Sequence, residues 1–227
     1  MTWIVNNLPL IGQLTVAHLL IAIPPIILSF LLSIPVGWVA NRYRWSRGVL
    51  LTICGLLYAI PSVPLFVTLP ALIGTGLQDP INVSIGLTLY GLALMVRVTA
   101  DGLASVDPDI RQSATAVGFA PAGRFWRVEL PLAGPVLVSG LRVVAVSTIS
   151  LTTVGAVLGI QGLGLLFTDG IQRNIPEEIW SGIVLVIAIA LILDRLIVLA
   201  GRALMPWTHT ATKPTRKDVT VIDAVNA

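Results

Sequence analysis

Polar residues are so scarce in this chain that the place where they gather constrains what it can fold into. The longest polar interval is Asp101 to Pro131, DGLASVDPDIRQSATAVGFAPAGRFWRVELP, with four acidic and three basic residues. On either side the sequence is apolar over stretches of about 20 residues, the length an α-helix needs to cross a bilayer core. Only 11% of the residues are charged and 56% are hydrophobic, whereas a soluble domain carries about 25% charge. The pattern is that of an all-α, polytopic membrane protein. At roughly 20–25 residues per span, five or six spans and one polar insert use up the chain. A single transmembrane domain over residues 1–205 and a polar tail over 206–227 follow, with no room for a second soluble domain.

The spans are expected at about 16–40, 49–69, 83–100, 132–158 and 179–204. Residues 1–15 are uncharged and mixed, suited to a short interfacial segment with Trp3 at headgroup level. Pro24, Pro25 and Pro35 predict kinks in the first span. In the second, Tyr58-Ala-Ile-Pro61-Ser-Val-Pro64 and then Pro70 cannot continue a regular helix. Irregular backbone at that depth belongs where protein buries it or where it lines a cavity, and a kink serving only packing is the competing reading. Asp79-Pro80 marks a turn between the second and third spans. Gly155 and Gly159 form a small-xxx-small pair, GIQGLG at 159–164 is a flexible turn, and residues 165–178 read as a loop.

Basic residues set the orientation. Arg42, Arg44 and Arg47 lie after the first span, Arg111, Arg124 and Arg127 in the insert, and four more from Arg202 onward, while the opposite side has Arg173 alone. Cytoplasmic loops carry the Lys/Arg excess, so the N-terminus is expected outside and the C-terminus inside, a parity that five spans satisfy and six do not. Trp3, Trp38, Trp180 and Trp207 fall near span ends, as an aromatic belt would.

Within the insert, Asp107-Pro108 is a helix start, since Asp accepts from free amides and Pro suits the first helical position. Gly118 is placed to end that helix in the left-handed conformation. A second short helix is expected from Pro121 to Pro131. Arg124 and Arg127, three residues apart, share a face, and Phe125 and Trp126 offer aromatic anchors of the kind enriched at protein interfaces. Two readings stand: a docking element for a soluble partner, or a solvated loop with its aromatics on the bilayer.

Other chemistries are poorly served. The net charge of +3 is explained by membrane topology rather than nucleic-acid binding. The single cysteine, Cys54, excludes an internal disulfide and fits packing rather than metal or redox chemistry. No positively charged start of a cleavable signal peptide is evident in the first fifteen residues. No G-x4-G-K-[ST] phosphate loop and no G-x-S-x-G occur, and His18 is the only histidine within a span. A secondary transporter would need an inverted repeat with paired broken segments, and the Pro-rich segment has no second copy. A structural membrane subunit is a further alternative.

The insert resembles the signature of bacterial ABC importer permeases, E-A-A-x3-G-x9-I-x-L-P. Here it reads Gln112-Ser113-Ala114, Gly118, Val128, Leu130 and Pro131, with every spacing kept. Gln112, Ser113 and Val128 depart from the pattern, and Pro121 is unusual in the turn. Tyr58-Ala-Ile-Pro-Ser, Arg97, Val106-Asp107-Pro108 and GIQGLG look like the osmoprotectant subgroup, which handles glycine betaine, carnitine, choline or proline betaine. The resemblance covers roughly residues 16–204. Methionine importer permeases are the nearest competitor.

The resemblance implies a type I importer transmembrane domain of about five spans. Gln112, Ser113, Ala114, Gly118, Arg124, Phe125, Trp126, Arg127, Leu130 and Pro131 would form or support a coupling helix seated on a cytoplasmic ATPase dimer. ATP and Mg would be used by that partner, with no cofactor in this chain. A second permease copy or paralogue and an extracellular or lipid-anchored binding protein would complete the system, in a bacterial cytoplasmic membrane. Cations of the quaternary ammonium type bind aromatic faces, which makes Tyr58 the one aromatic candidate at depth, with packing as its equal alternative. A weakly selective path lined by Tyr58, Pro61, Ser62, Ser147 and Thr148 is expected. Arg142 and Asp194 are ionisable residues in spans and functional candidates on that ground. The plainer expectation is that Arg142 snorkels to the cytoplasmic face and that Asp194 pairs with a neighbouring Arg.

Overall fold

The computed structural model describes residues 2–209, and those are all helix and connection. A short α1 (Thr2–Asn6) leads into α2 (Leu8–Arg42), followed by α3 (Arg44–Ala59), α4 (Ser62–Ile73) and α5 (Pro80–Ala104). The insert holds α6 (Pro108–Ala116) and α7 (Pro121–Arg124). A π-helical turn, Phe125–Glu129, then joins α7 to α8 (Leu130–Thr152). A 3-10 segment (Thr153–Leu158), α9 (Leu165–Gln172) and α10 (Pro176–Leu204) complete the bundle, with a 3-10 turn at Pro206–His209. Most of the expected polar tail, from residue 210, lies outside the described residues.

Four helical stretches are long and apolar enough to cross a membrane, and the bent pair α3–α4, meeting at 103°, makes a fifth if it counts as one broken span. Contacts fix the directions. Position 37 meets 99, and 21 meets 84, so α2 and α5 run parallel. Position 102 meets 137, and 140 meets 98, so α8 runs against α5. Arg142 meets Asp194, and 138 meets 201, so α10 runs against α8. Since α2 and α5 both finish at the insert end, the chain must return between them, and α3–α4 makes that crossing.

The proline expectations divide. At Pro61 the helix breaks as anticipated, and the Tyr90 hydroxyl donates to the Ile60 carbonyl at 2.6 Å. At Pro24, Pro25 and Pro35, where kinks were expected, the helical run of α2 continues without a break. Pro25 has no N–H for the carbonyl of Ile21 four residues back, and the Ser84 hydroxyl of α5 donates to that carbonyl instead, at 3.3 Å. A partner helix thus supplies the donor that proline lacks. The first span also begins at Leu8, inside the stretch expected to be interfacial, and residues 165–172 form a helix where a loop was expected.

The α2–α5 contact is close because small residues face it. A Cβ added at Gly37 would lie 2.6 Å from Cβ of Thr99, and one at Gly91 would lie 2.7 Å from Oγ of Ser29. Between them the hydroxyls of Ser33 and Thr99 share a hydrogen bond of 3.1 Å. Two apolar clusters sit at opposite ends of this seam. Ile21, Phe66, Leu87 and Tyr90 belong to the one far from the insert, and Leu103, Val106, Phe125 and Leu137 to the one beside it. Gly37→Ala is expected to cost about 1–3 kcal/mol by overpacking. It should lower the melting temperature of the detergent-solubilised protein, whereas Gly12→Ala, whose Cβ would meet nothing within 4 Å, should leave it unchanged.

Candidate coupling element and transport path

The insert is built from its caps inward. The Asp107 carboxylate accepts from the Asp109 amide at 2.8 Å and Pro108 occupies the first turn, which starts α6. At the other end Gly118 adopts φ +98°. Its N–H donates to the Thr115 carbonyl at 3.0 Å and the Phe119 N–H reaches back to the Ala114 carbonyl at 3.1 Å. That pair of bonds is a Schellman motif, and it requires the left-handed residue that glycine supplies cheaply.

Of the residues matching the importer signature, Ala114 is buried and holds α6 to the rest of the insert, while Gln112 and Ser113 are exposed on its outer side. Ile110 and Val117 are exposed as well, at 42% and 81%, so α6 projects from the bundle with apolar side chains uncovered.

The second half of the insert departs from the expected short helix ending at Pro131. Through the π turn, in which the Leu130 N–H bonds to the Phe125 carbonyl, α7 passes without interruption into α8. Leu130 and Pro131 form the first turn of that span, where proline's missing N–H costs nothing. Neighbouring residues of a helix point about 100° apart, so the two aromatics, whose rings still meet edge-on at 5.1 Å, have different surroundings. Phe125 turns inward, 6% exposed, with its ring edge-on to Trp38 at 6.0 Å, and is no free anchor. Trp126 stays 60% exposed. Trp38, expected in an aromatic belt, is part of the same cluster.

Arg124 is likewise turned inward: its Nε donates to Glu129 Oε1 at 2.6 Å and its Nη1 to Thr115 Oγ1 at 2.8 Å, tying α7 to both α6 and the π turn. Arg127 remains exposed on the other side. The insert is thus one rigid elbow whose inner surface continues the core between α2, α5 and α8.

The expected path residues do not converge. Tyr58 is half exposed and stacks edge-on to Tyr90 at 5.8 Å, beside the break where Pro61 and Ser62 sit. Ser147 and Thr148 lie on α8, with Thr148 buried and its carbonyl accepting from Thr152 at 2.7 Å. The largest cavity, about 800 Å³, includes none of the five. It opens between α2 and α5 at the end opposite the insert, beneath the 74–82 and 159–164 connections. Its polar lining is Gln78, Asp79, Ser84, Thr88 and Gln161, against Pro24 and Pro25. Turn signals flagged both connections in the sequence, but nothing local indicated that they meet. At that same end His18, fully buried, donates from Nε2 to the Ile149 carbonyl at 3.1 Å, where α8 tightens into its 3-10 segment.

The expectation that Asp194 pairs with an arginine holds, and the arginine is Arg142. Its Nε and Nη2 bond both carboxylate oxygens of Asp194, at 2.6 and 3.0 Å, in a bidentate pair between α8 and α10. Twelve residues into α8 places the pair about 18 Å along that helix from its start. Asp194→Asn is expected to lower thermal stability and membrane yield by leaving the guanidinium unmatched, and Arg142→Leu combined with Asp194→Leu to restore both. Failure of the double variant to recover would contradict a purely structural pairing.

Parallel and antiparallel spans around a glycine-lined seam, with a helix projecting from one end, define a helical membrane domain. The comparisons with known proteins agree. The chain belongs to the binding-protein-dependent transport system inner membrane component family, whose model matches residues 29–206. It is similar to the choline transport system permease protein OpuBB of Bacillus subtilis, at 30% identity over 85% of this chain and 87% of that one. It is also similar to the osmoprotectant import permease protein OsmW of Salmonella typhimurium, at 31% identity over 86% and 92%. Among solved structures, an inward-facing MetNI methionine ABC transporter superposes with a TM-score of 0.70 at 20% identity, covering 88% of this chain and 97% of that one, a likeness of fold.

Proposed function

We propose that this chain is the permease subunit of an ATP-driven importer of osmoprotectants such as choline, glycine betaine or carnitine. It would lie in a bacterial cytoplasmic membrane with its N-terminus outside. The observation that carries the reading is α6 itself: a capped helix with an uncovered outer side, joined through Phe125, Val106 and Trp38 to three of the spans. A partner that pushed on α6 would move α2, α5 and α8 together, because the Arg124 bonds and the buried Phe125 leave the elbow no soft joint. Rigid-body rocking of that kind is how packed helices switch between two openings. The relatives named for choline, osmoprotectant and glycine betaine/carnitine/choline transport favour this substrate class over methionine.

The remaining parts of the system follow from the chemistry this chain lacks. With no phosphate loop in the sequence, ATP and Mg would be handled by a cytoplasmic ATPase dimer docked on Gln112, Ser113, Gly118 and the exposed Trp126 and Arg127, with the buried Ala114 seating α6 on the insert. One five-span subunit does not enclose a pathway, so a second copy or a paralogue would face the cavity between α2 and α5. A binding protein, extracellular or lipid-anchored, would deliver substrate to that end and supply most of the selectivity. Tyr58, Pro61, Ser62, Ser147 and Thr148 remain the path residues to test, beside the polar lining of the cavity.

Gly118→Trp tests the coupling reading. The site has open space for a side chain, so the bundle should be undisturbed, but positive φ costs an L-residue about 1–2 kcal/mol locally. In vesicles containing ATPase and binding protein, uptake of labelled glycine betaine and choline is expected to fall at least about tenfold, with membrane insertion retained and the melting temperature lowered by only a few degrees. Gly118→Asn, which tolerates the left-handed region, should keep most of the uptake. Normal uptake by Gly118→Trp, or purification with no ATPase partner, would sink the reading.

A further inference from the structure

Beside the elbow lie two cavities of opposite character that share a wall. The first, about 270 Å³, is polar and is lined by Asn41, Arg42 and Tyr43 at the end of α2 and by Arg111 and Arg124 from the insert, with Trp38 as its floor. Three guanidiniums meet there against one carboxylate, Glu129, which Arg124 already engages at 2.6 Å. Neither Arg42 nor Arg111 makes an ion pair among the described residues. Arg111 Nη2 donates to the Val106 carbonyl at 2.6 Å, but its Nε is buried with no hydrogen-bond partner. A buried charged donor without an acceptor is costly, and so it marks a place where an acceptor is missing.

The second cavity, about 460 Å³, is almost wholly apolar. From α2 it takes Leu31, Ile34, Pro35 and Trp38, and from the insert Phe125 and Trp126. Trp38 lines both cavities, and residues 31, 34, 35, 38, 41 and 42 follow one another along a single stripe of α2 at helical spacing. The stripe is apolar for its first two turns and cationic at its last. Eleven residues of helix extend about 16 Å, roughly half the thickness of a bilayer's hydrocarbon core. A ligand fitting this shape has an anionic head, an apolar tail of one leaflet's depth, and a head seated at the membrane surface.

We propose that the junction of α2 with the insert is a binding site for one anionic phospholipid. Its phosphate lies among Arg42, Arg111 and Arg124, and one acyl chain lies along Leu31, Ile34 and Trp38 under Trp126. The phosphate balances the excess of guanidinium charge lining the polar cavity. The acyl chain covers apolar surface that the protein leaves open between a span and the elbow. The lipid thereby bridges the end of α2 to the element that carries α6, and it stiffens the one connection outside the core through which the insert is held. The site does not depend on which solute is carried.

The test is a lipid titration of the purified full-length chain, read by native mass spectrometry, with palmitoyl-oleoyl phosphatidylglycerol and the matching phosphatidylcholine. One phosphatidylglycerol per chain is expected to be retained under conditions that strip phosphatidylcholine. Arg42→Gln with Arg111→Gln should weaken that retention roughly tenfold, and the corresponding Lys pair should recover much of it. Leu31→Trp, at a residue 54% exposed, fills the tail groove and leaves every arginine in place. It should weaken retention by a similar factor, and it tests the site even where the arginine pair fails to fold. Equal retention of the two lipids, or unchanged retention in the Gln pair, overturns the proposal. Full retention by Leu31→Trp overturns it as well, since the arginines would then be holding an anion without a tail, such as a carboxylate of a partner chain.

Discussion

The structure depends on how closely α2 and α5 approach. In a membrane there is no water to drive helices together, so association rests on packing and on hydrogen bonds between helices. Gly37 against Thr99, Gly91 against Ser29 and the Ser33–Thr99 hydroxyl pair bring two backbones to a distance that larger residues would forbid. That contact does more than pack. It brings Ser84 to the carbonyl that Pro25 leaves without a donor, and it sets the parallel direction that obliges α3–α4 to cross back.

At the insert end the same seam becomes a means of transmission. The cluster of Leu103, Val106, Phe125, Ala133 and Leu137 is shared between the ends of α5 and α8 and the elbow, with Trp38 of α2 packed against it. Two neighbouring aromatics divide the work, Phe125 locking the elbow to the spans and Trp126 facing away. Neighbouring helical residues point about 100° apart, and the π turn that begins at Phe125 shifts the register in which α8 continues from Leu130.

Much of this was legible in the sequence. The span count, the start of α6 at Asp107-Pro108, its end at Gly118 and the break at Pro61 each follow from a residue acting on its own backbone. What was not legible involves partners remote in the chain. Asp194 is 52 residues from Arg142, so their pairing appears only once the antiparallel register of α8 and α10 is set. Ser84 is 63 residues from the carbonyl it serves, so the donor that replaces the proline N–H is not visible beside Pro24-Pro25. Phe125 and Trp126 are alike in the sequence, and only the packing of Phe125 against Trp38, Leu103 and Leu137 tells inside from outside. Helical continuity through Leu130-Pro131 was hidden for a related reason, since proline reads as a stop but is equally suited to a first turn.

By itself, then, the sequence determined that the chain is a helical membrane protein with one polar, capped elbow, because apolar length and terminal caps are local properties of the backbone and its immediate side chains. Only the tertiary structure decided which side chains of that elbow face the bundle, where the bidentate Arg142–Asp194 pair forms, and that the cavity between α2 and α5 takes its polar groups from Gln78, Ser84 and Gln161 rather than from Tyr58 or Ser147. Those features arise where helices distant in sequence meet, and the distance at which they meet is set by the small residues between them.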